Sequence, residues 1–92
     1  MPKLTGLVFA KAALDNLERI PFKIRAQLIK KAKALILDAH PAGSKPLKGV
    51  KTDEGEAIYR QRSGDYRILY VERSNPQEVI VLDIGNRKDV YR

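Results

Sequence analysis

The stretch His40-Pro41-Ala42-Gly43-Ser44 separates two apolar periods, and this limits the fold more than any other feature of the chain. Before it the pattern is helical. Residues 11–20 read as a short helix with Ala13, Leu14 and Leu17 inward, stopped by Pro21. Residues 22–39 read as a second helix. Ile24, Leu28, Ala32, Leu35 and Ala39 recur near 3.6 residues, and Lys23, Gln27, Lys30 and Lys33 fall on the other side. A junction this short makes the pair an antiparallel helical hairpin.

After the break the period falls to two. Strands are predicted at residues 56–62, 66–72 and 78–84, preceded in the chain by a first strand at residues 3–9. The loop that opens at His40 continues through Pro46 to about Gly55 and holds Lys45, Lys48 and Lys51. Ser63-Gly64-Asp65 reads as a three-residue hairpin loop, and Ser74-Asn75-Pro76 as the next turn. The uniformly apolar Val79-Ile80-Val81-Leu82 predicts a central strand covered on both faces. The order is β-α-α-β-β-β. This is an α+β fold, a helical hairpin packed on a mostly antiparallel four-stranded sheet, in a single domain spanning residues 1–92.

Composition narrows the function classes. The chain has no cysteine, which removes disulfides and thiolate metal sites. No apolar run approaches the ~20 residues of a membrane span, and the N-terminus lacks the apolar core of a secretory signal. The expected location is cytoplasmic, with no membrane partner. The net charge of +7 favours polyanionic partners. Residues 1–52 carry 11 basic and 3 acidic groups, mostly lysines on the basic side. Residues 53–92 carry 7 basic and 8 acidic groups, yet hold six of the eight arginines. The second half therefore places individual guanidinium groups instead of adding a diffuse basic coat.

Side chains alternate along a strand, so Arg60 and Arg62 share one face while Tyr59 and Gln61 take the other. Arg67 returns beside them if the hairpin register matches, and Arg87 projects just past Gly85. Such a set suits phosphate, because guanidinium offers fixed planar donors and a permanent charge. The bland reading of the same pattern is a solvated strand face. No His pair and no carboxylate cluster with metal-ligand spacing is present, and His40, the only histidine, lies in a loop before Pro41. Neither a metal nor another cofactor is expected. The chemistry left to such a site is metal-free RNA cleavage, with the 2′-hydroxyl as nucleophile. Arginines stabilise the phosphorane but move protons poorly. Tyr91 is then the leading base candidate, with stacking on a base or packing on the core as its other role.

Two stretches carry a family resemblance. Tyr59-Arg60-Gln61-Arg62-Ser63-Gly64-Asp65-Tyr66-Arg67-Ile68-Leu69-Tyr70 resembles the hairpin of RelE-like toxins of bacterial toxin–antitoxin pairs. Gly85-Asn86-Arg87-Lys88-Asp89-Val90-Tyr91-Arg92 resembles their closing motif, Gly-His-Arg-Arg-Asp-Val-Tyr. The helical hairpin and Pro46-Leu47-Lys48-Gly49 also fit. The resemblance implies a ribosome-dependent endoribonuclease that cuts mRNA in the A site without metal, by 2′-hydroxyl attack. It implies catalytic roles for four residues: Arg67 and Arg87 at the scissile phosphate, Arg60 lining the site, and Tyr91 on the 2′-hydroxyl. It places Arg62 and Lys88 among RNA-binding positions and Lys45, Lys48 and Lys51 on ribosomal RNA. Ile58 stands where some members have lysine, and Asn86 where the closing motif has histidine, so no histidine base stands there. The implied partners are a cognate antitoxin in a hetero-oligomer, the ribosome and mRNA, and operator DNA through the antitoxin complex. Two other functions stay open: a ParE-like DNA gyrase inhibitor, and a non-catalytic nucleic-acid-binding module acting in a toxin–antitoxin repressor complex.

Overall fold

A computed structural model describes residues 6–37, 44–73 and 78–86. Strand β1 (Leu7–Phe9) leads into helices α1 (Lys11–Arg19) and α2 (Phe22–Leu37). Strands β2 (Lys45–Lys51), β3 (Ala57–Ser63), β4 (Tyr66–Arg73) and β5 (Glu78–Asn86) follow. The strands form one sheet in the order β1-β5-β4-β3-β2, parallel between β1 and β5 and antiparallel elsewhere.

The α+β class and the helical hairpin hold, with one strand more than expected. The segment read as a loop supplies β2. Pro46 and Gly49, with φ of 73°, break the alternation there, and the register against β3 shifts between Pro46 and Lys51. A proline is tolerated because β2 is an edge strand, where a missing N–H removes no ladder bond that the sheet needs. The β3–β4 loop is shorter than expected. Ser63 pairs with Tyr66, leaving Gly64-Asp65 as a two-residue turn. Gly64 takes φ of 61°, which the primed hairpin turns require at their first central position.

Both helices lie on one face of the sheet. Ala13, Leu17 and Ile20 from α1 and its C-terminal end, with Leu28, Ala32 and Leu35 from α2, pack on Ile68, Tyr70, Val79, Val81 and Ile84. The period expected for α2 is therefore realised at its buried positions. Leu14 is not inward: it is 49% exposed. The stripe of so short a helix runs through residues 13, 17 and 20, and Leu14 is turned off it. Arg25 joins the two helices, donating from Nη2 to the Ile20 carbonyl at 3.2 Å.

Strand β5 is central, as its apolar run predicts, but the helices cover one of its faces only. Val79 and Val81 face the helices, whereas Ile80 and Leu82 are half-buried. A bulge sits in β5: Leu69 stands opposite Asp83 and Tyr70 opposite Val81, so Leu82 is skipped. The extra residue brings Ile84 into the same core as Val81.

At the far end of β3, Thr52 and Glu56 close the β2–β3 turn. The Thr52 N–H donates to the Glu56 carbonyl at 3.0 Å, and the Glu56 N–H donates to Thr52 Oγ1 at 3.0 Å. Arg73 at the end of β4 then forks onto the Glu56 carboxylate, Nε to Oε2 at 2.7 Å and Nη2 to Oε1 at 2.9 Å. This bidentate pair fastens the turn to a third strand.

Candidate nucleic-acid interface

Directly opposed residues on paired strands share a face. The register places Arg62 opposite Arg67, and Arg67 opposite Gly85. It also places Lys45 opposite Arg60, and Arg60 opposite Leu69. Lys45, Arg60, Arg62 and Arg67 therefore lie on one face, the one without helices, toward the Gly64-Asp65 turn. Tyr59 and Tyr70 are opposed on the other face, stacked with centroids 5.9 Å apart. The alternation read from the sequence is correct.

The four cations differ in access. Lys45 and Arg62 are exposed, Arg60 is half-buried, and Arg67 is only 3% exposed. Arg60 and Arg67 both engage in interactions within the chain. A buried polar group must be satisfied locally, and the interactions of Arg67 within the chain serve that need. An anion arriving on this face meets Arg62 first. Gly85, with no side chain, leaves the other flank of Arg67 unobstructed by a cross-strand neighbour.

Not every expected residue joins this group. Lys51 is exposed at the opposite end of β2 from Lys45, across from Ala57. The run of three lysines read as one gripping loop is instead drawn out along a strand. The Lys48 side chain, and Arg87, Lys88 and Tyr91 entirely, lie outside the described residues. His40 and Ala39 lie outside them as well. Ile58, at the departure from the family pattern, is buried beside the cations. Among the described residues no three His, Asp or Glu side chains gather to hold a metal ion.

The sequence reading missed a polar cleft of about 320 Å³ at the same end of the sheet, beside α1. Asn16 and Arg19 of α1, Tyr66 at the start of β4, and Asp83, Gly85 and Asn86 of β5 line it. Asn16 Nδ2 donates to Asp83 Oδ1 at 2.6 Å, a contact between residues 67 apart in the chain. No periodicity could reveal it, because it depends on the β5 bulge and on where α1 crosses β5.

A small α+β protein with a cationic sheet face is thereby defined, and comparison with known proteins gives the family. The chain matches the family model described as ParE toxin of type II toxin–antitoxin system over residues 7–91, and it belongs to that family within the RelE/ParE superfamily of toxins. Among solved structures it is similar to a chain of the intact Escherichia coli RelBE toxin–antitoxin complex, at 26% identity and a TM-score of 0.68, covering 87% of this chain and 93% of that one. It is also similar to a chain of the archaeal RelE–RelB complex from Pyrococcus horikoshii OT3, at 20% identity and a TM-score of 0.74, covering 96% and 100%. A third similar structure is a YoeB/ParE toxin from Agrobacterium tumefaciens, at 17% identity and a TM-score of 0.72, covering 90% and 99%. No curated protein sequence matches the chain significantly. No helix among the described residues is long and apolar enough to cross a membrane.

Proposed function

We propose that this toxin is a ribosome-dependent mRNA endoribonuclease, neutralised by a cognate antitoxin. The observation that carries the reading is the gathering of Lys45, Arg60, Arg62 and Arg67 on one sheet face. Arg67 and Arg62 bind and neutralise the scissile phosphate, Arg60 and Lys45 hold the flanking backbone, and the 2′-hydroxyl is the nucleophile. Arg87 and Tyr91, taken from the closing motif, complete the scheme, with Tyr91 orienting or deprotonating the hydroxyl. Lys88 adds to the RNA contact. The similar complexes from Escherichia coli and Pyrococcus horikoshii pair a RelE toxin with a RelB antitoxin, which supports an antitoxin partner here. Its chemistry should be acidic or apolar where it covers the cationic face, and the pair would act together on operator DNA. Both activities belong to the cytoplasm.

Induced expression should arrest translation, and primer extension on mRNA from induced cells should show discrete cuts within codons. Folded Arg67→Ala and Arg87→Ala variants that still arrest growth as strongly as the parent would refute the assignment. The match to the ParE toxin model favours one second reading, inhibition of DNA gyrase. Double-strand DNA breaks without mRNA cuts would establish that reading instead.

A further inference from the structure

Resting on the nuclease reading, we propose that Asp83, tied to Asn16, is a positioning residue of the cationic site: it fixes the β5 bulge, and the bulge sets Gly85 instead of Ile84 beside Arg67. Before the bulge, residues 78–81 pair with residues 73–70. After it, residues 83–86 pair with residues 69–66, one residue out of step. A straight β5 would continue the first register. Leu82 would then oppose Leu69, Asp83 would oppose Ile68, and Ile84 would oppose Arg67. The difference matters at Arg67, because directly opposed residues share a face at close range. The bulged strand offers a bare backbone there. The straight strand would put a branched side chain into the space a phosphate needs.

Helix α1 holds the strand in the bulged form. Strand β1 ends opposite Val81, so among the described residues no strand flanks β5 on that side from Leu82 onward. The helix stands there instead. The N–H of Ala10, just before it, donates to the Val81 carbonyl at 2.9 Å, and Asn16 Nδ2 donates to Asp83 Oδ1 at 2.6 Å. The two bonds grip β5 on either side of the skipped Leu82. Ala13, Leu17 and Ile20 anchor the helix in the core, so the grip comes from a rigid body. The same Oδ1 accepts the Ile84 N–H at 2.9 Å and so caps the backbone just past the bulge. Charge closes the other register as well. A straight strand would set the Asp83 carboxylate against Ile68, which is wholly buried, and would turn the buried Ile84 out of the core. Bulges beside functional sites commonly re-aim a side chain, and this one turns Asp83 to the helix and leaves Arg67 facing glycine.

The test uses the full chain, isotope-labelled, and a 2′-O-methyl hexauridylate, which 2′-hydroxyl attack cannot cut. Asp83→Ile removes the tie and the charge and supplies a side chain fit for the core. It should fold in the straight register, seen as nuclear Overhauser contacts of Arg67 with Ile84 in place of Gly85. It should also bind the oligonucleotide at least tenfold more weakly. Asp83→Asn keeps an Oδ1 acceptor for Asn16 and Ile84 and should keep the parent register and affinity. Gly85→Val should weaken binding like Asp83→Ile while the register stays in place. Asn16→Ala should speed hydrogen exchange of the Ile84 and Gly85 amides about fivefold, as one lost hydrogen bond would. An Arg67–Gly85 pairing that survives Asp83→Ile overturns the proposal, as does a shifted register that binds like the parent. If Asp83→Ile does not fold, unchanged exchange in Asn16→Ala or parent-like binding by Gly85→Val overturns it. A parent that binds no oligonucleotide overturns this role and the nuclease reading together. Binding lost with the register upholds the role even if no mRNA is cut, in which case only the nuclease reading fails.

Discussion

Arg62 on β3 and Arg67 on β4 stand directly opposite each other, one exposed and the other 3% exposed. Arg67 is engaged within the chain, and Arg62 presents the accessible charge beside it. Arg62→Gln should therefore leave the stability of the free protein within about 0.5 kcal/mol, read as the denaturant midpoint. The same change should weaken single-stranded RNA binding and lower the slope of log K against log salt by about 0.7. A variant that loses stability and binds RNA as well as the parent would contradict this.

The turn clamp makes stability depend on acidity. Hydrogen bonding from Arg73 holds the Glu56 carboxyl below its ordinary value of 4.5, against a smaller opposing effect of burial. A carboxyl depressed by folding stabilises the fold at pH above its unfolded value. That contribution fades as pH falls through the lower folded value. The partner Arg73 is raised above its ordinary value by the Glu56 hydrogen bond and stays charged throughout, so it adds no pH dependence of its own in this window. Melting temperature measured from pH 7 to pH 3 should fall less steeply below about pH 4.5 in Glu56→Gln than in the parent. Parallel curves would show that the clamp is not linked to folding.

Gln61 occupies a buried place on the helix side of β3, and among the described residues its Oε1 accepts no hydrogen bond. An unsatisfied buried acceptor costs about 1–3 kcal/mol. Gln61→Met keeps the length of the side chain and removes the polar atom. It should raise stability by about 1 kcal/mol in chemical denaturation and leave growth arrest unchanged, since the cations lie on the other face.

If Tyr91 is the base, Tyr91→Phe should slow single-turnover cleavage by about 100-fold or more while complex formation persists. An unchanged cleavage rate assigns the ring to stacking.

What could be read from the sequence follows from how local each determinant is. The α2 stripe through Leu28, Ala32 and Leu35 depends on one helix period, and the sharing of a face by Arg60 and Arg62 depends on one strand period. Both were legible. Strand β2 was not, because Pro46 and Gly49 signal a loop locally and only the neighbouring β3 makes them a strand edge. The same holds for Leu82, since a bulge is a mismatch between two strands and has no mark on either alone. The cleft joining Asn16 to Asp83 needs the whole topology before its parts meet. The burial of Arg67 was equally invisible, as a sequence shows a charge but not its covering.

The parallel pairing of Leu7–Phe9 with Val79–Val81 has a consequence for how the protein is made. Strand β5 is the partner of both β1 and β4, yet it is synthesised after them. Until it leaves the ribosome, Ala13, Leu17 and Leu28 have no Val79, Val81 or Ile84 to close over them. Contacts of such long sequence separation form slowly. A nascent chain is thus denied its finished core until β5 has been made, and the pairing of Arg67 with Gly85 forms in the same late step.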